Sequence, residues 1–373
     1  MTKKKKNSQK QVNLALQGGG AHGAFAWGVL DKLIEDGRLD VQGLCATSSG
    51  TMNACAYAYG KMIDGPEKAR EFLHDFWWKI HKAGEKYSPV RKLPWEGLMS
   101  NSNWNMNSSL SYFMFDLITR VFSPYQFNPF DFNPLRDVLR EIVDFEALRK
   151  CKCTRLFIST THVKTGKVRV FQNEEVTLDV AMASACLPFL FKAVKINGED
   201  YWDGGYMGNP PLYPLFYNTD CRDIVVIHIN PMIRENIPMT APDIMNRVNE
   251  ISFNSSLYKE LRAVAFVKKL KEHDMLKEKY ANHFKNILIH SVRADEAMVD
   301  LSVASKFNSD WQFLTMLRDK GRLAMQLWLD KNFQHVGQRD TVDLHAEFLY
   351  SINQMFEANH GTSKNHHVSK KTK

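Results

Sequence analysis

The stretch VNLALQGGGAHGAFAWGVLDKLIEDGRLDVQGLCATSSGTMN, residues 12–53, decides the fold. Val12, Leu14 and Leu16 alternate with small or polar residues, the pattern of a short strand. Gly18, Gly19, Gly20 and Gly23 follow at once, where the backbone must bend hard or approach something closely. Phe25, Val29, Leu30, Leu33 and Ile34 then recur at helical spacing, and Gly37 ends that helix. Leu39–Ala46 is a second apolar run, after which Thr47-Ser48-Ser49-Gly50 turns into an Ala-rich helical segment. Strand, glycine turn, helix and strand make one unit of an α/β sheet.

The glycine turn admits three readings. Gly18-x-Gly20-x-x-Gly23 matches the dinucleotide fingerprint, which also wants an acid at the far end of the second strand. Asp40 sits at the near end, and the far end carries Thr47 and Ser48. No Gly-Lys-Ser/Thr follows the glycines, which excludes a P-loop. The third reading is an oxyanion hole, whose free amides need a serine elbow beside them. Ala46-Thr47-Ser48-Ser49-Gly50 is near to the G-x-S-x-G elbow, with Ala in the first glycine position. Small flanking residues suit the strained backbone of a nucleophile turn, although a Ser/Thr helix cap has the same composition.

Together these motifs resemble the patatin-like phospholipases. The resemblance rests on the loop Gly18-Gly19-Gly20-Ala21-His22-Gly23, the elbow Ala46–Gly50 and the distant Asp203-Gly204-Gly205. Ala183-Ser184-Ala185-Cys186-Leu187-Pro188 matches the Ala-Ser…Pro block that usually precedes the aspartate. It covers residues 12–230. His22 departs from it, standing where many relatives carry Arg or Lys. The family implies a mostly parallel sheet with helices on both faces. It implies Ser48 as nucleophile and Asp203 as its base with no histidine between. The oxyanion would be held by amides of Gly18, Gly19, Gly20, Ala21, His22 and Gly23, with Ala46, Thr47, Ser49 and Gly50 shaping the elbow.

Composition bounds the rest. The chain has 373 residues, 44% hydrophobic, enough to bury a large core. Its net charge of +8 resides in the ends: residues 1–10 hold five Lys and residues 361–373 four, without an acid. The body then carries 40 basic against 41 acidic residues, which gives no support for a nucleic-acid partner. The tails, 1–11 and 360–373, read as solvated disordered ends. They also suit contact with an anionic membrane surface, at about 1 kcal/mol per Lys. No apolar run approaches the roughly 20 residues of a transmembrane helix, and none reads as a cleaved signal peptide. The expected location is therefore cytoplasmic or peripheral to a membrane, with export by a signal-less route left open. The six Cys show no zinc spacing and read as reduced thiols.

Downstream, Thr51–Ile63 and Pro66–Lys82 read as helices. Residues 87–133 are rich in Asn, Ser and Pro, yet Trp104–Phe132 holds nine aromatics. That texture suits a cap or lid over an acyl pocket, or ordinary core packing. Asn133-Pro134 starts a helix. Strands follow at 155–163, 168–171, 191–196, 201–202, 223–230 and 287–292, with a helix over 176–185. Beyond Asn230 the pattern is mainly helical, over 243–279, 309–332 and 341–359, and reads as an extension (231–359) packed on the sheet.

The chemistry implied is acyl transfer to Ser48 and hydrolysis of a phospholipid or other acyl ester, as a phospholipase A or lysophospholipase. A dyad works better if burial raises the Asp203 pKa from its usual ~3.9. His228 and His162, on strands that end near the sheet edge, keep a triad in play. A soluble carboxylesterase or polyester depolymerase would use the same site, and a nucleotide-binding regulator would use only the loop. No ligand cluster suggests a metal or other cofactor, so calcium-independent hydrolysis is expected.

Overall fold

The computed structural model describes residues 9–90, 104–106, 109–234, 236–277 and 284–349. The tail residues 1–8 and 360–373, the expected helix beyond residue 349 and part of the aromatic-rich region lie outside them.

Eight strands form one sheet: β1 (Lys10–Leu16), β2 (Leu39–Ala46), β3 (Arg155–His162), β4 (Val168–Gln172), β5 (Val194–Ile196), β6 (Glu199–Asp203), β7 (Asp223–His228) and β8 (Leu288–Arg293). Their order is β5-β6-β3-β2-β1-β7-β8, with β4 paired to β3. The five strands from β3 to β8 run parallel; β4, β5 and β6 are antiparallel additions. Lys10 and Gln11, read from sequence as the end of a tail, are the first residues of β1. The Lys10 ammonium caps the carbonyls of Phe333, Gln334 and Val336.

Central strands buried on both faces must be apolar on both sides, and β1 is. Val12, Leu14 and Leu16 point into one core and Ala15 into the other. The first face is covered by α1 (Gly23–Asp36), the helix Ser49–Tyr87 (α2) and α7 (Trp311–Asn332). Helix α6 (Ala241–Glu272) contributes Leu257, Leu261 and Ala265 to the second. Gly37 ends α1 at φ 70°, the left-handed turn expected there. Asp64 and Gly65 break α2 ahead of Pro66, so its two halves are the two helices read from sequence.

The aromatic region holds α3 (Leu110–Val121), which buries none of its residues. Phe113, Val121 and Phe130 are 60%, 63% and 93% exposed, which rules out core packing as their role. Helices α4 (Pro134–Ile142, capped by Asn133) and α5 (Leu178–Ser184, capped by Thr177) complete the frame. Segments beyond Asn230 are part of that frame: β8 extends the sheet, and α7 crosses α1 closely enough that a Cβ on Gly28 would meet Arg318 O at 1.9 Å.

Candidate active site

β3 brings two remote residues together. Its Ile158 pairs with Ala46, the last residue of β2, and its Thr160 pairs with Asp203, the last residue of β6. Two residues along a strand span about 7 Å. The elbow after Ala46 and the Asp203 carboxyl are therefore neighbours, although Ser48 and Asp203 are 155 positions apart in sequence.

Ser48 sits at φ 54°, ψ −124°, a strained conformation for a residue with a Cβ and the one expected at a nucleophile elbow. The surroundings hold it there. Its amide donates to Ser184 Oγ at 3.0 Å, and Ser184 Oγ also pairs with Thr51 Oγ1 at 2.8 Å. Thr47 Oγ1 donates to the Gly208 carbonyl at 2.7 Å. Gly50 must be small, because a Cβ there would lie 2.4 Å from Leu16 O. Ala46 fits the first elbow position as the fully buried end of β2.

Asp203 is 1% exposed. Its Oδ1 accepts the Gly205 N–H at 2.7 Å, while Oδ2 closes no hydrogen bond. Burial pushes its pKa up to about 7, against the opposing pull of the Gly205 amide, the nearby Ser48 hydroxyl and Lys306. The Ser48–Asp203 approach is looser than a closed hydrogen bond.

The glycine loop divides its amides. Gly18 N–H donates to Asn209 Oδ1 at 2.7 Å and Gly19 N–H to Ser49 Oγ at 3.0 Å. The His22 and Gly23 amides are used within the 3₁₀ turn Gly20–His22. Only Gly20 and Ala21 in the loop, and Ser49 at the start of α2, keep amides without an acceptor among the described residues. The six-residue loop expected from sequence thus narrows to two free donors. His22 is buried, its Nε2 2.7 Å from Ser305 Oγ, and burial holds its pKa well below 6.5. It positions the loop as a neutral ring.

The alternatives fare poorly. Burial drives the His228 pKa down to about 3, and its Nδ1 has no partner. His162, the last residue of β3, is bonded to Thr165 in the β3–β4 turn and to Glu199 at the start of β6. Neither histidine bonds Ser48 or Asp203. Asp40, the dinucleotide reading's acid, is paired with Lys61 at 2.8 Å. The described residues contain no cluster of metal ligands. All six cysteines are free thiols.

A mostly apolar cavity of about 630 Å³ opens beside the Asp203 loop. Val121, Phe122, Pro188, Phe189, Trp202 and Met207 are among its walls, so α3 and the residues after Asp203 face each other across it. Sequence reading missed Asn209, Ser305 and Lys306. Only Ser184 had a signal, its place in the Ala-Ser…Pro block.

The family model described as Patatin-like phospholipase matches residues 14–216. No curated protein matches the chain. Among solved structures it is similar to VipD from Legionella pneumophila: 13% identity, TM-score 0.41, covering 96% of this chain and 76% of that one. It is also similar to ExoU in complex with SpcU, from the type III secretion system of Pseudomonas aeruginosa: 14% identity, TM-score 0.29, covering 90% and 75%. No helix among the described residues is long and apolar enough to cross a membrane.

Proposed function

This chain belongs to the patatin-like phospholipase family, and from that premise we propose that it hydrolyses lipid acyl esters as a phospholipase A with lysophospholipase activity. The single observation that carries the site assignment is the register on β3, which sets the strained Ser48 turn beside a buried carboxyl. Ser48 Oγ attacks the ester carbonyl carbon and passes its proton to Asp203. The C–O bond to the glycerol oxygen then breaks, and that oxygen takes the proton from Asp203. Water attacks the acyl-enzyme, giving its proton to Asp203, and collapse returns Ser48 with its hydrogen.

A free carboxylate of pKa near 4 would hold a proton too weakly for this shuttle. Burial to about 7 matches Asp203 to neutral pH. The Gly20 and Ala21 amides would meet the developing oxyanion, each donor being worth about 10²–10³ in rate. The α2 N-terminus adds about 0.3–1 kcal/mol of favourable dipole. The apolar cavity would take the acyl chain, and the exposed apolar face of α3 would act as its cap at a lipid surface.

The test is fatty-acid release from phosphatidylcholine vesicles and from monomeric short-chain ester. A lipid hydrolase should release fatty acid from vesicles, with a rate jump above the monomer, and lose it in Ser48→Ala. Equal rates on both substrates would instead indicate a soluble esterase.

A further inference from the structure

Lys306 lies outside the residues that match the family, on the 3₁₀ turn Val303–Phe307. This turn is pressed against the glycine loop. Ser305 holds His22, and a Cβ at Gly20 would stand 2.6 Å from the Lys306 carbonyl. The Lys306 side chain then reaches Asn230, Asn249 and Phe253, within electrostatic reach of Asp203. Its Nζ donates to Asn230 Oδ1 and Asn249 Oδ1, both at 3.0 Å, and lies 5.4 Å from the centre of the Phe253 ring. That ring in turn packs on Gly205, where a Cβ would be 2.5 Å from Phe253 Cε1. Asn230 also donates to the Gly18 carbonyl at 2.9 Å. Lys306 therefore bridges the loop and the aspartate turn.

An ammonium carries three N–H groups. Two are committed to asparagine oxygens, and the third has no acceptor among the described residues. No carboxylate there lies within ion-pair distance. Glu250, the acid on the neighbouring turn of α6, is paired with Arg234 and Arg247. A cation removed from water without a paired anion is costly, and proteins keep such groups where negative charge must be met.

We propose that Lys306 is the cation of this active site, held by Asn230 and Asn249 to offset the negative charge that gathers between Asp203 and the glycine loop. This rests on the acyl-hydrolase reading above, and Lys306 acts as a positioning residue through Asp203 and the loop. The groups around it leave two titrations near neutral pH. Cys186 and Tyr206, which face Asp203, are pushed up to about 12 by burial. His22 stays neutral; Glu250, ion-paired with Arg234 and Arg247, is the first anion to act on Lys306 and Asp203 the second. Asp203 titrates near 7, and burial brings Lys306 down to about 8. Activity needs the aspartate ionised and the lysine protonated, which gives a bell between the two.

The experiment compares full-length wild type, Lys306→Met and Lys306→Arg, with kcat and KM measured across pH 5.5 to 10. The Met variant should lose about 10²-fold in kcat with KM little changed. Its acid limb should move upward and its alkaline limb disappear, while Arg restores most of the rate. Wild-type limbs and rate in the Met variant would overturn the proposal, as would equal loss in both variants with the limbs in place. If the Met variant does not fold, the wild type decides alone: fluorophosphonate labelling of Ser48 must slow above about pH 8, and labelling that stays flat overturns the proposal. Hydrolysis by Ser48→Ala would instead sink the underlying reading.

Discussion

Gly18 and Ser48 are in such close contact that a Cβ on the glycine would lie 2.6 Å from the serine Cβ and 3.0 Å from Thr47 O. The atoms met are elbow atoms, already fixed by Ser184 and Gly208. Gly18→Ala should therefore displace Ser48, the proposed nucleophile. A misplacement near 1 Å costs about 10²-fold, so kcat/KM should drop by that order with little change in circular dichroism. Steady-state kinetics on a chromogenic ester checks it, and an unimpaired Ala variant would contradict the packing.

Ser184→Ala removes the acceptor of the Ser48 amide and the partner of Thr51. Leaving a fully buried N–H unpaired costs about 1–3 kcal/mol, and this partly buried one falls toward the lower end. The expected result is a lower kcat at nearly constant KM and a reduced melting temperature. A Ser184→Thr variant that keeps the hydroxyl should recover part of both.

Burial of the Asp203 carboxyl costs stability once it ionises. Its folded pKa, about 7, lies above the value of 3.8 for an unperturbed Asp. A raised carboxyl favours the folded state fully below the unfolded pKa, and that contribution is lost as pH rises through the folded one. At pH 8 the buried carboxylate should cost on the order of 4 kcal/mol. Asp203→Asn should thus unfold at higher denaturant than wild type at pH 8, and the gap should shrink towards pH 4. Urea melts at both pH values test the sign; a gap that widens on acidification would refute it.

Helix α7 is tied into the core through two glycines. A Cβ on Gly28 would meet Arg318 O at 1.9 Å, and one on Gly321 would meet Phe25 O at 2.1 Å. Both contacts are with backbone, so neither can yield cheaply. Gly28→Ala and Gly321→Ala should each destabilise by about 1–3 kcal/mol or more, as overpacked cores do. Thermal unfolding reads this directly.

Residues 12–50 were legible because their signals are local. Alternation in Val12–Leu16, the spacing from Phe25 to Ile34 and the stop at Gly37 each report a single element, and each element formed as read. The proposed pairing of Ser48 with Asp203 came from sequence only through the family resemblance, since strand register carries no sequence mark. Helix α3 was hidden inside a stretch whose Asn, Ser and Pro read as loop, and none of its residues is fully buried. Lys306, Ser305, Asn209 and Asn230 left no trace. They reach the site from turns whose own sequences are ordinary, and only tertiary packing gives them a role.

The most direct measurement is fluorophosphonate labelling of wild type, Ser48→Ala and Asp203→Asn at pH 7.5, with the modified residue mapped by mass spectrometry and ester hydrolysis followed in parallel. The expected result is one label on Ser48 in wild type, none in Ser48→Ala, and label and turnover both reduced by at least about 10³-fold in Asp203→Asn. A label elsewhere, or an Asp203→Asn protein that turns over at the wild-type rate, would contradict the pairing of these two residues.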